Sequence, residues 1–173
     1  MSEHDLQELR IGVRRHLSLV WDMAQLTDQV DDVEITRLIK ILKEHPEYYE
    51  VWDHLEEYGA EDVEIDGVSP ILHINIHGII ENQLADDTPP FVAKALLKLT
   101  NNGVSRHEAI HVIGNALAQQ IWTMMAQKQE YDQIKYQQDI NLYVSERLAW
   151  EAELRAKTKH KQKKAKRARK RKR

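Results

Sequence analysis

The sequence contains no cysteine, almost no strand-like segment and no long apolar run. The missing thiols exclude disulfides, cysteine–zinc sites and cysteine nucleophiles, and they suit a reducing compartment. A membrane span would need about 20 consecutive apolar residues. A secretory signal would need a basic start followed by an apolar stretch, and the opening Ser2-Glu3-His4-Asp5 has neither. We therefore expect a cytoplasmic protein without a membrane segment.

Charge is divided unevenly along the 173 residues, although the net charge is only −3. Twelve of the 25 Lys and Arg lie between Lys157 and Arg173, where there is no acidic residue. The preceding part therefore carries 13 basic against 28 acidic residues. A segment this basic repels itself and buries little apolar surface. We predict a helical domain over 1–156 and a basic tail over 157–173 that is disordered when free.

Helical periodicity dominates the domain, so we predict an all-α fold, a small helical bundle with a long C-terminal helix that runs into the disordered tail. Pro46 ends one helix near His45, and Ser69-Pro70 begins another that runs to about Leu84. Ser105 and Glu108 form a capping-box pattern at the start of a third. Apolar stripes, breaks and caps place the predicted helices at Leu6–Ala24, Val33–Leu42, Glu47–Glu57, Pro70–Leu84, Phe91–Leu99, Ser105–Met125 and Tyr136–Leu148.

Four histidines form two similar motifs, each with a spacing of four residues. His73 and His77 are followed at the same spacing by Glu81, and His107 and His111 enclose Glu108. Residues four apart lie on one side of a helix. If the two sides meet, His73, His77, His107, His111 and Glu81 form a first shell for zinc, iron, manganese or nickel. Gly78 and Gly114 on the same helices suggest close helix contact or a ligand that needs room.

Three kinds of metal chemistry compete for these residues. The string His107-Glu108-x-x-His111 is the zincin motif, in which the glutamate activates water, but the third ligand spaced as in known zincins is missing. Glu108-x-x-His111 could also be half of a two-metal carboxylate site, but the sequence has no second Glu-x-x-His. The third possibility is one ion held by the paired histidines. An enzyme of this kind would most simply carry out metal-assisted hydrolysis, with Glu81 or Glu108 as the base.

The alternative to a metal is a structural hydrogen-bond network in a non-enzymatic interaction protein, since His73 and His77 lie among isoleucines and leucines. We interpret His45, beside Pro46, as a helix-end residue, with membership of the site as the less favoured alternative. The remaining histidines are expected to be solvated, namely His4, His16, His54 and His160.

The two histidine motifs, in this order, resemble the DUF1841 family of uncharacterised bacterial proteins. The matching segments are 45–48, 69–83, Asp87, Pro89 and 107–111 with Leu117 and Trp122, and the resemblance covers about 38–143. Trp21 resembles the family's N-terminal tryptophan. It implies a small helical domain and no established activity. Tyr49, Thr88 and Gln119 stand where the family tends to have histidine, arginine and a carboxylate.

The basic tail lies outside this resemblance and is predicted to bind RNA or another polyanion. Its charges can neutralise phosphates, which gives salt-dependent binding without sequence preference. It has no aromatic residue to stack on bases. The predicted contact residues are Lys163, Lys164, Lys166, Arg167, Arg169, Lys170, Arg171, Lys172 and Arg173.

Overall fold

A computed structural model describes residues 2–170, with the backbone alone at 163 and 165–170. Seven α-helices account for most of this range, and within it the only β-type pairing is an isolated bridge between Ile65 and Val68. The predicted all-α fold and long C-terminal helix are confirmed. The helices are α1 (Glu3–Leu26), α2 (Val33–Lys43), α3 (Tyr49–Asp53), α4 (Pro70–Ala85), α5 (Pro90–Asn101), α6 (Arg106–Gln127) and α7 (Gln133–Lys170), and a short 3₁₀ helix (Pro46–Tyr48) precedes α3.

Side-chain caps explain where several helices begin. Ser2 and Asp5 form a capping box at the start of α1, because each side chain bonds the backbone N–H of the other. The Asp32 carboxylate accepts from two backbone N–H groups at the start of α2. Pro70 is the first residue of α4, as predicted, and the Ser69 hydroxyl accepts from the Leu72 N–H at 3.4 Å.

The chain divides into two compact units, Met1–Ala85 and Asp86–Arg173. In the first unit, α1 packs against α2 and α3, and α2 packs against α4. The indole of Trp21 lies in the core of this unit and donates to Asp53 at 2.6 Å. The predicted stripe of α1 is buried only in its C-terminal half. Leu17, Val20 and Ala24 are buried, whereas Leu6 and Leu9 are exposed.

A 16-residue segment without regular helix, from 54 to 69, joins α3 to α4 in the first unit. The buried guanidinium of Arg14 on α1 holds this segment in place. It donates to the backbone carbonyls of Tyr58, at 3.0 Å, and of Gly59 and Glu61. One side chain thus holds three backbone carbonyls of this segment, whose Leu55 is buried in the core of the unit.

In the second unit, α5, α6 and α7 pack against one another in pairs. Tyr136 at the start of α7 is fully buried and meets Phe91 of α5 edge to face, with ring centroids 5.5 Å apart. Arg155 of α7 donates to the backbone carbonyl of Asn102 after α5. The helix continues beyond this contact to Lys170.

The helical backbone passes Lys157, where the sequence predicts the basic tail to begin. Lysine, arginine and alanine are strong helix formers, which explains why the helix extends into a segment with no apolar stripe. The predicted disorder of this tail stays a prediction, and its last residues, 171–173, lie outside the described range. No helix in the described part of the chain is long and apolar enough to cross a membrane.

Candidate metal centre

Three histidines of the first unit form a cluster, made of His45, His73 and His77. The spacing of four residues on α4 places the rings of His73 and His77 side by side, with centroids 4.8 Å apart and planes inclined by 28°. His45 follows α2, and its ring centroid lies 4.7 Å from that of His73 and 4.6 Å from that of His77. His45 and His77 are buried, whereas His73 is partly exposed.

The position of His45 is fixed by the end of α2. Its Nδ1 lies 2.7 Å from the carbonyl oxygen of Ile41, one helical turn earlier. A carbonyl oxygen can only accept, so Nδ1 carries the hydrogen. In a neutral imidazole the other nitrogen, Nε2, then acts as an acceptor or a ligand. The Nε2 of His73 lies 2.9 Å from this atom.

The second motif lies on α6, which begins where the capping pattern predicts. The Ser105 hydroxyl accepts from the backbone N–H of Glu108 at 3.2 Å. The rings of His107 and His111 lie one helical turn apart, and their centroids are separated by 4.3 Å. Both rings are partly exposed. The predicted pairing of imidazoles along one helix side is therefore present in α6 as well as in α4.

One ring nitrogen from each of four histidines lies within 4.8 Å of the others, and the four are His45, His77, His107 and His111. Four nitrogens that bind one ion tetrahedrally at about 2.1 Å are about 3.4 Å apart, so the four nitrogens would have to move closer together to share a single ion. Three of the four histidines predicted from the sequence belong to this group. His73 does not, and His45 takes its place.

Neither predicted carboxylate belongs to this group. Glu81 lies one turn after His77 on α4 and is partly buried. The Glu108 carboxylate accepts from the guanidinium of Arg147 on α7 at 2.9 Å. Arg147 also binds Glu151 and lies over the ring of Trp150, 4.8 Å from its centroid. The structure thus gives Glu108 a contact between α6 and α7, and the catalytic role of either carboxylate stays a prediction.

Gly78 does not have the close helix contact that its place beside the histidines suggests. A Cβ atom built on it would meet no heavy atom of the described residues within 4 Å. Glycine is therefore not required at this position, and a side chain there would cause no steric clash. Gly114, in contrast, is buried on α6.

The four histidines outside both motifs and away from His45 are exposed, as predicted: His4, His16, His54 and His160. Nδ1 of His54 donates to the Glu57 carboxylate at 3.0 Å. This hydrogen bond, followed by the charge of Glu57, raises the pKa of His54. These residues provide matched controls for changes at the buried histidines.

The predicted polyanion-binding side chains lie almost wholly outside the described part of the structure. Lys164 is described and exposed, and the more N-terminal Lys157, Lys159 and Lys161 are exposed on the same helix. The remaining predicted contacts fall on side chains that are not described, namely Lys163, Lys166, Arg167, Arg169, Lys170, Arg171, Lys172 and Arg173.

His45 belongs to the group, although its sequence position was interpreted as that of a helix-end residue. Two features of the sequence pointed to His45. It directly precedes a proline, so it ends α2, and it opens the segment 45–48 of the family resemblance. What the sequence lacked was the distance between the end of α2 and α4, which only their packing provides.

No curated protein and no solved structure matches this chain. A family model described as a domain of unknown function, DUF1841, matches residues 10–142, a span that contains all four histidines of the group and ends before the basic tail. The chain therefore belongs to the DUF1841 family.

Proposed function

We propose that this protein binds one divalent transition metal ion through His45, His77, His107 and His111. The observation that carries the proposal is the approach of the four ring nitrogens to within 4.8 Å of one another. A set of four, contributed by α4, α6 and the end of α2, is a donor set that an ion could organise.

The chemistry of the donor set narrows the choice of ion. Imidazole nitrogens suit zinc, copper, iron and nickel, whereas magnesium, calcium and manganese prefer oxygen ligands. The group of four contains no carboxylate. Among the ions considered from the sequence, zinc and nickel therefore fit best, iron fits less well, and manganese fits least.

The hydrogen bond from His45 to Ile41 supports a ligand role for His45. Imidazoles that bind metal commonly donate their other N–H to a backbone carbonyl or carboxylate, which fixes the tautomer and the ring orientation. The Nδ1–H of His45 has this arrangement, at 2.7 Å from the Ile41 oxygen. Its Nε2 is then the nitrogen through which it binds the ion.

Metal analysis of the untagged full-length protein tests the proposal. We expect close to one equivalent of zinc or nickel after loading and dialysis, measured by mass spectrometry of the metals. Changing His77 or His111 to alanine should each abolish retention, because each removes one ligand from a different helix. The matched controls His16→Ala and His54→Ala change exposed histidines and should retain the ion.

A second measurement separates loss of binding from loss of folding. Co²⁺ in a site of four nitrogens gives intense visible absorption bands, which the wild-type protein should show and the folded His111→Ala variant should lack. Circular dichroism establishes that the variant is folded. Absence of bound metal in the wild-type protein, together with a melting temperature that falls in both histidine variants, would instead favour the structural network.

That structural network is the alternative function of these histidines, in a protein that acts through interaction alone. The observation in its favour is the pair of contacts made by His45, with Ile41 at 2.7 Å and with His73 at 2.9 Å. Hydrogen bonds of this kind can join two helices without an ion.

For the basic end of α7 we propose binding to RNA or another polyanion, in a protein that we propose to be cytoplasmic. Exposed lysines on a helix that extends beyond its contact with Asn102 support this proposal. Removing residues 157–173 should flatten the dependence of RNA affinity on salt, because each lost phosphate contact lowers the slope by about 0.7 for single strands. Fluorescence anisotropy at several salt concentrations measures the slope. An unchanged slope would show that other residues make the contact.

A further inference from the structure

His73 lies at the edge of the proposed metal centre and contacts one of its ligands. Its Nε2 is 2.9 Å from the Nε2 of His45, yet His73 is not one of the four histidines that come together. Its ring also lies beside two buried rings. It is nearly parallel to that of His77, and it meets Tyr48 edge to face with centroids 5.5 Å apart.

The hydrogens of this pair can be assigned from the acceptors around them. The Ile41 carbonyl requires the hydrogen of neutral His45 to be on Nδ1, so Nε2 of His45 is an acceptor. In the metal-free protein, a contact of 2.9 Å between two neutral imidazole nitrogens needs one hydrogen between them. His73 must therefore carry its hydrogen on Nε2 and donate it to His45.

The lone pair that accepts this hydrogen is the one that the metal ion needs. An imidazole nitrogen of this kind has a single lone pair, which lies in the plane of the ring. Nδ1 of His45 is already bonded to Ile41, so the ring offers no second position. The ion and the N–H of His73 are consequently mutually exclusive partners of His45.

We infer that His73 is a displaceable hydrogen-bond donor that competes with the metal ion for Nε2 of His45. This inference rests on the proposed metal binding. When no ion is bound, His73 satisfies the buried His45 and stabilises the arrangement of the end of α2 against α4. When an ion binds, His73 gives up this bond and its partly exposed ring turns away. His73 thereby weakens metal binding and makes it reversible, as a regulatory residue at the site.

Zn²⁺ titrations of His73 variants distinguish a competitor from a ligand. His73→Phe keeps an aromatic ring beside His77 and Tyr48 but has no N–H. It should bind Zn²⁺ about two- to tenfold more tightly than the wild-type protein, which is the range expected when one net hydrogen bond no longer has to be broken. His73→Gln retains a donor and should bind about as the wild-type protein does. The exposed control His54→Phe should leave the affinity unchanged.

Weaker binding by His73→Phe would show that His73 is itself a ligand, and unchanged binding would show that it does not compete. Either result overturns the inference while leaving metal binding intact. His73→Leu, which is smaller than phenylalanine, repeats the test if the larger ring perturbs the fold. Failure of the wild-type protein to bind Zn²⁺ would overturn the proposed function as well. The Zn²⁺ titration of the wild-type protein is therefore carried out first.

Nuclear magnetic resonance tests the hydrogen bond without reference to affinity. In protein labelled with ¹⁵N and stripped of metal, a scalar coupling should connect Nε2 of His73 to Nε2 of His45 across the hydrogen. Addition of Zn²⁺ should remove this coupling. Its absence from the metal-free protein would disprove the hydrogen bond, and its persistence in the Zn²⁺-loaded protein would disprove the displacement.

Discussion

Replacing Arg14 by methionine should destabilise the first unit more than any change at the exposed surface. Arg14 is only 4% exposed, and its guanidinium donates to the carbonyls of Tyr58, Gly59 and Glu61. Burial, followed by repulsion from Arg10, lowers the pKa of Arg14. Methionine has a similar length and fills the same space, so the change removes the hydrogen bonds with little loss of packing.

The structure allows the size of this effect to be worked out. Hydrogen bonds from a charged donor contribute at least about 1.5 kcal/mol each, so three of them contribute about 4.5 kcal/mol. The Nε–H of Arg14 is buried and makes no hydrogen bond among the described residues. Desolvation of this N–H costs about 1–2 kcal/mol, and the change to methionine removes that cost. We expect the free energy of unfolding to fall by about 3 kcal/mol.

Urea unfolding followed by circular dichroism measures this free energy. Arg15→Met is the matched control, because the adjacent side chain is exposed and its loss should change stability by no more than about 0.5 kcal/mol. Amide hydrogen exchange should also accelerate at residues 58–61 in the Arg14 variant. If Arg14→Met and Arg15→Met unfold within about 0.5 kcal/mol of each other, the hydrogen bonds do not hold the segment as reasoned.

Two further changes test other contacts. Gly12→Ala should raise the free energy of unfolding by about 0.5–1 kcal/mol, since Gly12 lies inside α1 and an added Cβ would meet no heavy atom of the described residues within 4 Å. A lower free energy of unfolding in urea would contradict this. The hydrogen bond from Lys43, followed by the charge of Lys43, lowers the pKa of Asp28. The pair therefore stabilises the fold at pH values above the unfolded pKa of Asp28. This stabilisation is lost as the pH falls through the lowered pKa of the folded state. Lys43→Met should therefore raise the pKa of Asp28, measured by nuclear magnetic resonance, and an unmoved titration would refute the assigned cause.

The helices could be predicted well from the sequence because local signals determine their ends. Ser69-Pro70 begins α4 and Ser105 caps α6, as read from the residues alone. Periodicity was less informative about burial. Leu6 and Leu9 continue the stripe of α1 but are exposed, because a stripe is buried only where another element covers it.

The candidate site could be predicted only in part, because some of its features are local in the sequence and others depend on packing. The spacing of four residues is a local property, so the pairs on α4 and α6 were predictable. The exchange of His73 for His45 depends on packing, since His45 lies 28 residues earlier in the chain and reaches α4 only through the contact between α2 and α4. The partner of Glu108 is likewise distant, because Arg147 follows 39 residues later on α7.

Because His45 is hydrogen-bonded to Ile41 of α2, the length of α2 determines how the imidazole of His45 is oriented. Each residue added to or deleted from a helix rotates everything after it by about 100°. A single insertion between Asp32 and Ile41 would leave this hydrogen bond intact but turn the imidazole away from α4. Length variation among relatives should therefore accumulate before Asp32, in the connection from α1, and α2 itself should keep a constant number of residues.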